Sequence, residues 1–224
     1  PKAKDEKDRF RYFGTKPERF LHGLALHQKI CADAVAEFDK CTQEGKQPPS
    51  NLKTRYDELI LCSGGSDALN VAAMGFPVVW KNSETDPLEK DQYEALKKLC
   101  RHVYLLFDND SKGREQSLKL SLQYLQLRTI YLPEFKDDAD RDWRGKKYKD
   151  VRDFFAKFRR DEFRNLLKNA YPLQFWDEDV QTDRKGIPVV IDDQVVYKYR
   201  LLPTLVRNFL YRNGFARMII GTDE

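Results

Sequence analysis

The chain has 224 residues, of which 41% are hydrophobic and 34% are charged. This composition excludes a globally disordered chain, and the length suits one sizeable domain and the start of a second. The formal net charge of +4 permits contact with nucleic acid without requiring it, because local patches of charge matter more than their sum. No apolar stretch reaches the ~18 residues of a membrane-spanning helix, so no span is predicted.

The predicted elements begin with a short strand at 9–14 and a helix at about 23–42, where apolar residues recur at helical spacing. The sequence EGKQPPSN then ends this helix. Beyond it, strands alternate with helices. The predicted strands are 58–62, 76–80, 103–107 and 128–132, and the helices between them are 66–74, 87–99 and 112–125. Continuous apolar strands separated by helices indicate an α/β fold with a mostly parallel sheet of about four strands, covered by helices on both faces.

The last third of the chain changes character twice. A polar segment at 135–150 is predicted to be a surface loop, and helices are expected at 150–158 and 160–170. After Gln174, short strand and turn signals precede an amphipathic helix at 201–215. We therefore divide the chain into a lead-in, an α/β domain, and a small C-terminal extension formed by a linker and the start of a following domain. These segments are 1–55, 56–173 and 174–224.

The four cysteines follow no spacing typical of zinc ligands. They are Cys31, Cys41, Cys62 and Cys100. We interpret them as reduced thiols of a cytoplasmic protein. The chain begins with Pro1 and ends in the polar sequence GTDE, and we expect it to be part of a longer polypeptide.

Acidic residues follow three of the predicted strands. The motifs are SGGSD (63–67), KNSE (81–84) and DND (108–110). Because ligands bind beyond the carboxyl ends of parallel strands, Asp67, Glu84, Asp108 and Asp110 are expected at one edge of the sheet as candidate catalytic residues. Crowded carboxylates need a cation, and hard oxygen ligands favour Mg2+ or Mn2+. We predict Asp67, Asp108 and Asp110 as the metal ligands.

Simpler interpretations of these acids stay open. The sequence DNDSKG is also typical of a capped turn, since Asp and Asn commonly cap helices and Gly113 could ease the bend. Glu84 could be a solvated loop acid that caps the helix beginning near Pro87. The position of these acids directly after strands favours a site over a turn.

Several residues are candidates for binding nucleotide or nucleic acid. Gly64 and Gly65 either let the backbone approach a phosphate or form a tight strand-to-helix turn. Lys112 and Arg114 flank the DND turn and either contact phosphate or stay solvated. The loop 141–149 sets cations beside aromatic rings, which suits single-stranded nucleic acid unless the loop is only charged and mobile. Its candidate binding residues are Arg144, Lys146, Lys147 and Lys149.

The sequence SGGSDALNVAAMG, followed by LLFDNDSKG, resembles the Toprim domain of primases, primase-helicases, topoisomerases and small nucleases. That family has a glutamate–glycine pair and a following aspartate after its first strand, and D-x-D-x-x-G after its third. The matching positions here are Gly64, Asp67, Asp108, Asp110 and Gly113. KDVRDFF is similar to the K-D-x-x-[DN] element of primase-like members. The resemblance covers about residues 9–170 and is nearest to primases and primase-helicases of Bacteroidetes and their phages.

The resemblance implies a Toprim-type fold and a metal-dependent nucleotidyltransferase that makes primers on single-stranded DNA from nucleoside triphosphates. It implies Mg2+ or Mn2+ as the cofactor, and a helicase module as a partner in the same polypeptide or as a separate protein. The cell compartment would be the cytoplasm of a bacterium or an infected host. No G-x-x-x-x-G-K-[S/T] sequence occurs, so the helicase motor would lie outside residues 1–224.

The chain departs from the family pattern at Ser63, where the family has its glutamate. A serine hydroxyl is a poor base and a weak ligand for Mg2+, and Glu84 and Asp67 are the candidate substitutes. Two other functions therefore stay open. One is a Toprim domain that has lost its chemistry and serves a helicase as a nucleic-acid-binding or linking module. The other is a Toprim nuclease.

Overall fold

The structure is a computed structural model that describes residues 19–137, 139–142 and 145–214. Its helices are α1 (Leu24–Gln43), α2 (Gly65–Ala73), α3 (Lys90–Leu99), α4 (Ser111–Gln123), α5 (Val151–Lys157), α6 (Arg160–Lys168) and α7 (Pro203–Arg212). Its strands are β1 (Tyr56–Cys62), β2 (Val78–Trp80), β3 (Cys100–Leu106), β4 (Arg128–Thr129), β5 (Trp176–Val180), β6 (Val190–Ile191), β7 (Gln194–Val195) and β8 (Tyr197–Leu201). The short strand predicted at 9–14 lies outside the described residues.

The first four strands form one parallel sheet in the order β2-β1-β3-β4. The central pair, β1 and β3, is in register from Tyr56 beside Cys100 to Cys62 beside Leu106. The prediction of an α/β fold with a parallel sheet of about four strands is thereby confirmed. All four strands point the same way, so their carboxyl ends lie at the same edge of the sheet.

Both faces of the sheet are buried, because alternate residues of a strand point to opposite faces. Leu59 and Leu61 of β1 pack on one side with residues of α1, α3 and α4. Ile60 and Cys62 pack on the other side with residues of α2, α5 and α6. The continuous apolar run of β1 therefore serves two cores at once, which explains why the sequence shows no alternation of polar and apolar residues there.

Some boundaries differ from the prediction. The fourth strand was expected at 128–132, but β4 contains only two residues. The Ile130 amide still donates to the Leu105 carbonyl at 2.9 Å. Beyond it, the Leu132 carbonyl accepts a hydrogen bond from the Asn109 side chain, and Pro133 has no N–H to donate. The chain thus leaves the sheet early to pass beside the DND turn.

The C-terminal segment has a different architecture. Strands β5 and β8 form an antiparallel pair, β6 and β7 form a second one, and all their residues are exposed. This change falls where the sequence changes character after Gln174. The assignment of 174–224 to a following domain stays a prediction.

No helix in the described part of the chain is long and apolar enough to cross a membrane. All four cysteines are buried and free.

Candidate active site at the carboxyl edge of the sheet

The predicted acidic residues lie where three neighbouring strands end. Asp67 is in the first turn of α2 after β1, Glu84 is in the loop after β2, and Asp108 follows β3. The charge of Asp108 acts on both of the other two carboxyls and raises the pKa of each, after burial as the larger cause. The predicted convergence of these acids on one edge of the sheet is therefore present in the structure. Their catalytic roles stay predictions.

The two carboxylate oxygens of Asp110 accept hydrogen bonds from different partners. Asp110 is the N-cap of α4, and its Oδ1 accepts a hydrogen bond of 2.9 Å from the Gly113 amide. Its Oδ2 accepts a second hydrogen bond of 2.9 Å from the Lys149 ammonium. The capped turn and the acidic site are thus not alternatives, because one carboxylate takes part in both.

The Lys149 ammonium lies between the two aspartates of the DND turn. Its Nζ donates to Asp108 Oδ2 at 2.5 Å and to Asp110 Oδ2 at 2.9 Å. Burial lowers the pKa of Lys149, but the hydrogen bonds to the two carboxylates outweigh it and raise that pKa overall. The same hydrogen bond lowers the pKa of Asp110. Asp108 and Asp110 are therefore arranged to share one cation.

Asp67 is the acid with the most perturbed pKa at this edge. Burial, together with the charges of Asp108 and Asp150, raises its pKa to about 7. The Ser63 hydroxyl, buried at the end of β1, donates to Asp67 Oδ2 at 3.4 Å and opposes this rise. Ser63 thus contributes a hydrogen bond to Asp67 and no carboxylate.

We expect Asp67→Asn to stabilise the protein at high pH in the absence of divalent metal. A carboxyl whose folded pKa is raised favours the folded state only while it is protonated. The stability of the wild type should therefore fall as the pH rises from 3.8, the pKa of this carboxyl in the unfolded chain, to about 7, its pKa in the folded protein. At ~1.4 kcal/mol for each pKa unit, the variant should be more stable than the wild type by about 4 kcal/mol at pH 8 and by almost nothing at pH 4.

Urea unfolding at pH 4, 6 and 8 measures this difference. Asp57→Asn is the matched control, because Asp57 is exposed at the opposite end of β1. If Asp67→Asn changed the free energy of unfolding by the same amount at all three pH values, the pKa of Asp67 would not be raised in the folded protein.

Glu84 belongs to the acidic cluster although it lies on a loop. Its pKa is raised by burial and by the charges of Asp108 and Asp110, and it is lowered by the nearby Lys112 and by a hydrogen bond with the Asp108 backbone. The alternative interpretation, in which Glu84 caps the following helix, is wrong. Helix α3 begins only at Lys90, and Glu89 is its N-cap in a capping box with Gln92.

The two glycines after β1 differ in what surrounds them. Gly64 is the extended N-cap residue of α2, and a Cβ there would meet no atom within 4 Å. A Cβ on Gly65 would lie 3.2 Å from the indole nitrogen of Trp80. The close packing of Trp80 thus explains the glycine at 65 and supports the tight-turn interpretation. Phosphate binding by either residue stays a prediction.

Asn109 is a residue of the site that the sequence did not single out. Its amide donates to the Lys149 carbonyl at 2.9 Å, and its side chain donates to the Leu132 carbonyl at 3.1 Å. Its Oδ1 accepts two hydrogen bonds from Arg114. Asn109 thereby holds the segment that carries Lys149 against the DND turn. The sequence signal was an amide between two acids, which also suits an ordinary turn.

The basic residues next to the acidic edge line a cleft of about 390 Å³. Its wall includes Asp110, Arg114, Lys136, Lys147 and Lys149. Lys112 and Lys146 are exposed, and Arg144 lies outside the described residues. Tyr148 packs edge-on against Phe135, with ring centroids 5.5 Å apart, so part of its ring is committed to the core. The nucleic-acid contacts of these basic residues stay predictions.

The fit of a divalent cation depends on the donors at this edge. The donor set consists of hard carboxylate oxygens, which suits Mg2+ or Mn2+. Two of them, from Asp108 and Asp110, already share the ammonium of Lys149 as a stand-in cation. Within the described residues, no three His, Cys, Asp or Glu side chains are grouped closely enough to hold a metal. Asp67 is therefore not gathered with the other two predicted ligands.

No protein-family model matches the chain, and no curated protein matches it. Among solved structures, the zinc-binding and RNA polymerase domains of the Aquifex aeolicus primase are similar at 24% identity and a TM-score of 0.40, over 61% of this chain and 28% of that one. The E. coli primase catalytic core is similar at 20% identity and a TM-score of 0.46, over 69% of this chain and 40% of that one. The primase fragment of the bacteriophage T7 primase-helicase has 22% identity and a TM-score of 0.30, over 37% of each chain.

The chain thus spans less than half the length of these solved chains. At TM-scores below 0.5, the similarities do not assign an activity to this protein. The functional conclusion depends on the acidic edge and on the sequence motifs that form it.

Proposed function

We propose that this chain is the Toprim-type catalytic portion of a DNA primase, which joins nucleotides into primers on single-stranded DNA. The observation that carries this proposal is the shared cation between Asp108 and Asp110 at the carboxyl edge of a parallel sheet. The Toprim-like motifs SGGSD and DNDSKG, which form this edge, suggest the reaction class. The chain would work in the cytoplasm with a helicase module, in the same polypeptide or as a separate partner.

Asp108 and Asp110 would hold Mg2+ or Mn2+, and Asp67 would support the site once it is ionised. The ion would neutralise charge on the triphosphate and increase the reactivity of the phosphorus centre. Lys149 would then give up its place between the carboxylates. The cleft beside Asp110, which Lys149 also lines, offers it a phosphate group as a new partner.

Glu84 would take the part that the glutamate has in the wider family. Burial and the charges of Asp108 and Asp110 raise its pKa, which makes its carboxylate a stronger base than that of an ordinary glutamate. The 3′-hydroxyl oxygen would attack the α-phosphate, the bond from that phosphorus to the bridging oxygen would break, and pyrophosphate would leave. The proton of the hydroxyl would pass to the Glu84 carboxylate.

A second function is favoured by one observation, which is the serine at position 63. Because Ser63 is buried and hydrogen-bonded to Asp67, it offers no carboxylate to a metal or a substrate. The chain would then be a Toprim domain without chemistry, which binds nucleic acid or links it to a helicase. Its DNA binding would depend little on divalent metal.

An assay of products separates these functions. The chain is incubated with labelled single-stranded DNA, nucleoside triphosphates and Mg2+ or Mn2+, and the products are resolved by length. We expect new strands shorter than the template, made only when metal and triphosphates are both present. Shortened template would instead indicate a nuclease. Retention of DNA with no product would indicate the binding module, and either result would contradict the primase proposal.

A further inference from the structure

Lys81 is a buried lysine that follows β2 and is only 2% exposed. Its Nζ donates to the carbonyl oxygen of Glu84 at 3.0 Å and to that of Asp86 at 2.7 Å. The ammonium also lies 4.7 Å from the centre of the Phe107 ring. Phe107 directly precedes Asp108, so Lys81 joins the loop that carries Glu84 to the end of β3.

The burial of this ammonium has an energetic cost. Burial lowers the pKa of Lys81 to about 8, while the charges of Asp86 and Glu84 oppose this shift and that of Lys119 adds to it. A buried charge is tolerated when hydrogen bonds and an aromatic face compensate for lost water. Here the compensation comes from two backbone carbonyls of a single loop, so the loop conformation and the buried charge depend on each other.

Glu84 is consequently fixed at two points. Lys81 binds its backbone carbonyl, and its carboxylate lies against the backbone of Asp108, which lowers the pKa of Glu84. Both contacts connect Glu84 to the end of β3. Lys81 packs on the Phe107 ring, and the Glu84 carboxylate lies at the backbone of Asp108. A glutamate on a loop is otherwise free to turn into solvent. Its place in the acidic cluster thus requires an anchor, and Lys81 provides the buried one.

We propose that Lys81 is a positioning residue that acts through Glu84 and keeps its carboxylate beside Asp108. This inference rests on the proposed function, in which Glu84 accepts the proton of the attacking hydroxyl. Lys81 itself touches neither substrate nor metal. It determines where the proton acceptor lies when the reaction begins.

The first test measures the placement of Glu84 without using activity. The exchange rate of the Asp108 amide proton is followed by NMR in the wild type, Lys81→Met and Lys119→Met. Methionine keeps the length of the side chain and removes its charge. Lys119→Met is the matched control, because Lys119 is nearby and exposed. We expect at least tenfold faster exchange at Asp108 in Lys81→Met alone, with the amides of Leu59 and Leu61 still protected.

The second test is a double-mutant cycle on primer synthesis with Lys81→Met and Glu84→Gln. Displacement of a catalytic group by about 1 Å can reduce a rate about 100-fold, so Lys81→Met should lower kcat by 10- to 100-fold and leave KM unchanged. In the Glu84→Gln background, Lys81→Met should cause no further loss. Losses that multiply would show that Lys81 does not act through Glu84, and this would overturn the proposal.

The two tests also separate this inference from the proposed function. If the wild type makes no primers, the proposed function fails, and the exchange rate at Asp108 alone decides whether Lys81 positions Glu84. Should Lys81→Met fail to fold, Lys81→Leu, which also removes the ammonium and its hydrogen bonds, replaces it in both tests. Unchanged exchange at Asp108 in whichever variant folds would overturn the inference.

Discussion

Replacing Asp108 and Asp110 together with asparagine is expected to lower primer synthesis by more than about 100-fold. Asparagine keeps the shape of both side chains and is as good an N-cap as aspartate, so the hydrogen bond from Gly113 to position 110 can persist. The variant therefore loses two negative charges without losing the turn. The charges that would hold a cation next to the triphosphate are then absent, and the product assay measures the loss.

The matched control is Asp57→Asn, which changes one exposed acid at the amino end of β1. Because Asp57 lies at the opposite end of the strand from the acidic edge, its loss should leave primer synthesis unchanged. Equal activity of the wild type and the Asp108→Asn/Asp110→Asn variant would place the chemistry elsewhere in the molecule.

Gly113→Ala is expected to destabilise the fold by about 3 kcal/mol, which is the size of a severe overpacking defect. A Cβ at this position would lie 2.1 Å from the Asp108 carbonyl oxygen and 2.9 Å from the carbonyl carbon. These are backbone atoms, which cannot rotate away as a side chain can. In an ordinary helix the same change would stabilise by about 1 kcal/mol. Here the same substitution is expected to destabilise the protein, because α4 can approach the Asp108 backbone this closely only with a glycine at position 113.

Gly64→Ala is the control for this measurement of stability. Gly64 has a φ of −159°, an extended conformation that any residue adopts, and a Cβ there would meet nothing within 4 Å. We expect the free energy of unfolding of the Gly64→Ala variant to differ from that of the wild type by less than about 0.5 kcal/mol. Urea unfolding of both variants checks the comparison. A Gly113→Ala protein as stable as the wild type would mean that the glycine only eases the turn.

The sheet could be predicted because its signal is local. The apolar runs around Leu59 and Leu105 are continuous, and strands buried on both faces have this pattern. The ends of the elements were harder to predict, since they depend on tertiary contacts. Strand β4 is short because the chain after Ile130 turns toward Asn109, a residue more than twenty positions earlier. Nothing in the sequence RTIYL indicates that contact.

The candidate site, like the sheet, has features that the sequence predicted and features that depend on tertiary contacts. The convergence of Asp67, Glu84 and Asp108 followed from one rule, that parallel strands end at the same edge. The position of the Lys149 ammonium between the aspartates could not be predicted, because Lys149 is 41 positions from Asp108 and lies in a loop with several other lysines. Lys81 was missed for a different reason. A lysine after a strand is usually solvated, and its burial becomes evident only when the loop folds back over it.

The central claim is that Asp108 and Asp110 form a binding site for a divalent cation. Calorimetric titration of the 224-residue chain with Mg2+ and with Mn2+ tests it most directly. The account predicts binding by the wild type and by Asp57→Asn, and no binding by Asp108→Asn/Asp110→Asn. Equal binding by all three proteins would contradict the claim. So would the absence of binding by the wild type when single-stranded DNA and nucleoside triphosphate are also present.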